Sequence, residues 1–206
     1  MMMAEATNHY FKHLGVSDGL SQVCIPSIFQ DELGAVWLGT TEGLNRYNGK
    51  DVKVFQPSES NHGLTNNEIN ELCGDKNGRM YIRSGNDLIK LDIYTEQFTC
   101  LRQKGVYGLF CKKDTLWVSC ADGIYYYTGQ GTELTFFARV QKGFVGRALY
   151  VDRETVWVVT RKYLVAISRE DPLRQEILLT LDKGNCILGD SSGNIWVGAW
   201  NGLYRV

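Results

Sequence analysis

Short runs of alternating apolar and polar residues, each ended by Gly, Asn or Asp, recur along this chain and predict antiparallel strands joined by tight turns. The runs group in fours. In the first group 26–30 reads as an inner strand, 31–34 as a turn, 35–39 as the second strand, 44–47 as the third and 51–55 as the fourth. The second group repeats this with 69–73, 80–83, 88–91 and 97–101, the third with 107–111, 116–119, 124–127 and 134–138, and the fourth with 148–151, 156–160, 164–167 and 176–180. A fifth group starts at Asn185 and stops after its third strand.

Each second strand carries one bulky aromatic: Trp37, Tyr81, Trp117, Trp157 and Trp196, separated by 44, 36, 40 and 39 residues. A strand-rich period near 40 residues is the mark of a β-propeller blade, in which each unit buries its apolar face only against its neighbours. The reading is therefore all-β: one β-propeller domain over 1–206 with four-stranded antiparallel blades at 23–57, 67–102, 105–140, 144–181 and 184–206. Residues 8–14 are expected to supply the missing strand of the last blade, because His9-Tyr10-Phe11-Lys12-His13 resembles a fourth strand and Asp18-Gly19-Leu20-Ser21 echoes His62-Gly63-Leu64-Thr65. Closing the ring that way would remove two exposed sheet edges. The alternative is a piece of a seven-bladed propeller.

Composition narrows the function classes. Apolar residues make up 44% of the chain and charged ones 22%, ordinary for a globular protein, and the formal net charge of −1 offers no basic field for nucleic acid. No apolar run approaches the length of a membrane-spanning helix. The six cysteines form no C-x-x-C pair and have no histidine at ligand spacing, so no metal site or cofactor is expected, and most are read as buried free thiols. His9, His13 and His62 fall on the N-terminal segment or a blade-connecting loop, away from the inner strands. Aspartates recurring before the strand aromatics (Asp31, Asp75, Asp152, Asp190) suit turns, not catalysis. No catalytic residues are assigned.

The phrases Ile28-Phe29-Gln30-Asp31, Gly34-Ala35-Val36-Trp37-Leu38-Gly39-Thr40 and Gly43-Leu44-Asn45-Arg46-Tyr47 closely resemble the two-component regulator propeller repeat. The resemblance covers essentially the whole chain. It is sharpest in the first and fifth units and weaker in the middle, where Tyr81 stands for Trp and Arg161-Lys162-Tyr163 for the glycine-containing loop. It implies the sensor region of a hybrid two-component system, a periplasmic location, recognition of oligosaccharides, and further propeller or immunoglobulin-like domains or self-association as partners. Residues 1–8 show neither a basic region nor an apolar run, so a cytoplasmic location is the alternative. A protein–protein scaffold is the second functional reading and a propeller lyase the third.

Propellers often hold ligands where the loops between second and third strands meet the loops between blades. Trp200 is the only tryptophan out of repeat register and offers a stacking face there. Asn201, Arg83, Asn86, Arg161 and Tyr163 lie in or beside the same loop class and carry groups that could hydrogen-bond to a sugar. The structural alternative for Trp200 is packing over the junction of the last and first blades.

Overall fold

The computed structural model describes residues 11–57 and 63–206. Five antiparallel sheets follow one another along the chain. The first contains β1 (Ser27–Gln30), β2 (Val36–Thr40), β3 (Gly43–Tyr47) and β4 (Val52–Phe55). The second contains β5 (Ile69–Gly74), β6 (Arg79–Ser84), β7 (Asp87–Asp92) and β8 (Gln97–Arg102). The third is β9 (Val106–Lys112), β10 (Thr115–Cys120), β11 (Gly123–Tyr127) and β12 (Thr135–Ala138), and the fourth is β13 (Gly146–Val151), β14 (Thr155–Thr160), β15 (Tyr163–Ser168) and β16 (Gln175–Thr180). The last has β17 (Cys186–Gly189), β18 (Ile195–Ala199) and β19 (Gly202–Arg205). Strands fall within one or two residues of the expected runs, because Gly and Asp turns set their ends.

The sheets stack face to face through four apolar cores. The first joins sheets one and two around Trp37, Phe55, Leu72, Met80 and Ile82. The second core, around Tyr81, Leu109, Leu116 and Tyr127, joins sheets two and three. Trp117, Val151, Val156 and Val158 centre the core between sheets three and four. Val159, Leu164, Ile195 and Val197 centre the one between sheets four and five. Inner strands β1, β5, β9, β13 and β17 lie next to one another in that order. This is the blade stacking of a β-propeller.

The recurring Asp–aromatic pair now has a physical meaning. Asp31 accepts from the Trp37 indole Nε1 (2.7 Å) and from the backbone amides of Leu33 (3.0 Å) and Ala35 (2.9 Å). Asp152 does the same for Trp157 (2.6 Å) and Asp190 for Trp196 (2.8 Å). One carboxylate thus closes the turn and fixes the indole, and the rings of Trp37 and Trp157 pack into the core shared with the next sheet. In sheet two the pattern changes: Asp75 pairs with Arg79, and Tyr81 takes the wedge position without an indole to donate.

The expected strand at 8–14 is not formed among the described residues. Positions 8–10 lie outside them, and 11–14 carry no strand. The described segment lies along the first sheet instead: Lys12 Nζ donates to the Tyr47 hydroxyl (3.1 Å) and the Ser21 amide to Asn45 Oδ1 (2.9 Å). Leu20 packs there with 3% exposure. Among the described residues β19 is paired on one side only, and Ile28 on the first sheet and Leu188 and Leu203 on the last are 63%, 64% and 69% exposed. The cysteines depart from the reading that most are buried: Cys73, Cys100 and Cys111 are half-buried. Cys120 is buried, and Cys24 and Cys186 are exposed.

Candidate functional site

At one end of the propeller the turns between second and third strands are braced by backbone bonds to the segments that link blades. Thr160, at the end of β14, uses its hydroxyl to accept from the amides of Lys162 (3.2 Å) and Tyr163 (2.9 Å), making a tight turn without glycine. The Leu181 amide donates to the Lys162 carbonyl (2.6 Å) and the Gly184 amide to the Arg161 carbonyl (3.0 Å). One blade further on, the Trp200 amide donates to the Asp182 carbonyl (2.9 Å) and the Asn185 amide to the Gly198 carbonyl (2.9 Å). The side chains of Arg161, Lys162, Lys183 and Trp200 therefore project from a rigid frame.

Two adjacent clefts open on this frame. One, of about 370 Å³, is lined by Tyr107, Phe144, Val145, Arg147, Thr160, Arg161 and Lys162. Its neighbour, of about 420 Å³, has Arg147, Arg161, Lys183, Asn185, Cys186 and Trp200 around it. Arg147 and Arg161 belong to both and form the ridge between them. Trp200 is 78% exposed, and Lys183 Nζ lies 4.8 Å from its ring centroid, a cation–π distance. Phe144 packs on Tyr163 with centroids 4.8 Å apart. Gly108 on β9 sets the position of Arg147: a Cβ there would come within 2.7 Å of the Arg147 carbonyl oxygen, so only glycine lets β9 and β13 approach this closely.

The structure brings some of the expected residues together and separates others. Arg161 and Trp200 share a cleft, Tyr163 packs on Phe144 of the neighbouring cleft, and Asn201 is the exposed neighbour of Trp200. Arg83 and Asn86 lie two sheets away, in neither cleft. Arg83 is engaged locally, donating to Glu71 (3.4 Å) and to the Gly85 carbonyl (3.3 Å). Glu71 also accepts from the Leu109 amide (3.1 Å), and burial between the second and third sheets raises its carboxyl to about 7 against the pull of Arg83. Arg147, Lys183, Tyr107 and Phe144 escaped the sequence reading because they stand at inner-strand starts and blade links. Their signal was position: those segments meet the turns that had been singled out.

Among the described residues no three of His, Cys, Asp or Glu come together as a metal-binding set, and no helix is long and apolar enough to cross a membrane.

Comparison with known proteins bears on this geometry. No family model matches the chain. A stretch of 55 residues is 38% identical to histidine kinase P4 of Formosa agariphila, covering 27% of this chain and 4% of that protein. Among solved structures, the extracellular domain of the hybrid two-component system BT3049 of B. thetaiotaomicron superposes with a TM-score of 0.82 at 23% identity, over 94% of this chain and 30% of that one. Streptogramin B lyase matches with a TM-score of 0.65 at 16% identity, over 91% of this chain and 70% of the lyase. The gluconolactonase XC5397 of Xanthomonas campestris gives 0.64 at 13% identity, over 86% and 70%. At these identities the likeness is one of fold, and the fold is the β-propeller. The chain spans less than a third of the length of the sensor domain it superposes on.

Proposed function

We propose that this chain is a ligand-binding propeller of an extracellular or periplasmic two-component sensor, and that it recognises an oligosaccharide at the paired clefts. One observation carries the site: Arg161 and Trp200, on turns of successive blades, meet in one cleft with Arg147 and Lys183. An exposed indole beside convergent donors is a sugar-binding combination, since a pyranose has an apolar face and a hydroxyl rim. The location and the sensor role are supported by the superposition on an extracellular two-component domain and by the short match to a histidine kinase. Propeller enzymes share the fold, but fold alone assigns no chemistry.

Isothermal titration of the chain with a library of oligosaccharides of mixed linkage and charge tests this. Binding by at least one member is expected, with Trp200→Ala weakening it about tenfold or more through loss of the stacking surface. A library with no binder, or a binder indifferent to Trp200→Ala, contradicts the proposal.

A further inference from the structure

Resting on that reading, we infer that the ligand is an anionic oligosaccharide, one carrying uronate carboxylates or sulfate esters, held by Arg147, Arg161, Lys162 and Lys183. The two clefts together present these four cations and no carboxylate. Asp182 precedes Lys183 but lines neither cleft. Three other clefts on the described surface each carry an acid: Glu154 and Glu176 in one, Asp122 in another, Asp114 and Asp152 in the third. The concentration of positive charge is therefore local, on a chain whose formal net charge is −1.

The cations are also unspent. Some cations elsewhere are paired, Arg46 on Glu96 (3.0 Å), Arg83 on Glu71 (3.4 Å), Arg102 on Asp122 (2.7 Å) and Arg79 on Asp75, while others among the described residues stand singly on the surface. Among the described residues Arg147, Arg161, Lys162 and Lys183 have no ion pair, and Lys183 only leans over the Trp200 ring. Four like charges gathered without a counter-charge repel one another, and an anion on the ridge relieves that. Two guanidiniums suit this role because each can offer a planar pair of N–H donors to a carboxylate or sulfate. The walls supply the sugar part: Tyr107 and Phe144 on one side of the ridge, Trp200 on the other. A free anion would need only the ridge, whereas an oligosaccharide uses both walls.

Calorimetry on the full chain with chemically matched pairs tests this. Each pair is one sulfated or uronate oligosaccharide and its desulfated or carboxyl-reduced counterpart, with sodium sulfate alone as a third arm. The charged member is expected to bind about tenfold or more tightly, the usual worth of one hydrogen bond to a charged group. Its affinity should fall as salt rises from low to physiological strength. Arg147→Ala and Arg161→Ala should each lose most of that preference, weakening the charged member several-fold more than the neutral one, and Arg161→Lys should restore part of it. Equal binding of both members overturns the charge assignment and leaves the oligosaccharide reading standing. Binding of neither overturns both. Sulfate alone displacing the oligosaccharide at equal concentration would show an anion site without sugar recognition, and would overturn the inference.

Discussion

At the scale of single residues, two tryptophans in opposite surroundings show how context separates one side chain from another. Trp37 is fully buried, clamped by Asp31 and stacked on Phe55 with ring centroids 5.7 Å apart. Trp200 is largely exposed. Trp37→Ala should destabilise the fold by about 3–5 kcal/mol, the cost of emptying a large core site. Trp200→Ala should stay within about 0.5 kcal/mol, as surface changes do. Denaturant unfolding of both variants reads the difference; similar losses would show that Trp200 packs as structure, which was the alternative read for it in the sequence. Register in the repeat was enough to separate these two. It was not enough to find the indole–carboxylate bond, since turn aspartates look alike whether or not an indole lies within reach, as Asp75 beside Tyr81 shows.

Among elements, the inner strands carry the least obvious chemistry. Glu71 on β5 is wedged between sheets two and three, and burial lifts its carboxyl from the ordinary 4.5 to about 7. In the unfolded chain this group loses its proton near 4.5, while in the fold it keeps it to about 7. Between those values the native state binds more protons, so stability falls as pH rises through that window and recovers as pH is lowered. Glu71→Gln should flatten that part of the profile in denaturant melts taken from pH 4.5 to 7; an unchanged slope would contradict the assignment. Strand positions were legible from alternation and turn residues, to within one or two residues. Which face met which neighbour was not, because alternation tells the two sides of a strand apart without saying what packs on them. That is why Arg83 was read as free to bind a ligand when Glu71 holds it.

For the whole molecule, the period gave the stacking of blades, and the sheets follow it. The path of residues 11–14 was beyond it: local resemblance to a fourth strand says nothing about which sheet a segment meets, and Lys12 reaches the first. The proposed binding end of the propeller arises from the same stacking. Turns of successive blades converge there, Gly108 allows β13 to seat closely on β9, and Arg147, Arg161, Lys183 and Trp200 come to share one rim although they span 54 residues of sequence. That this rim is where ligand is gripped is the centre of the account. Its most direct test is the set of five tryptophan indole N–H signals in a two-dimensional nitrogen–proton spectrum, followed while an anionic oligosaccharide is titrated in. The Trp200 signal should move progressively while those of Trp37 and Trp157, held by Asp31 and Asp152, stay in place. A bound oligosaccharide that leaves Trp200 unmoved, or that shifts the Trp37 signal instead, would place recognition elsewhere on the molecule.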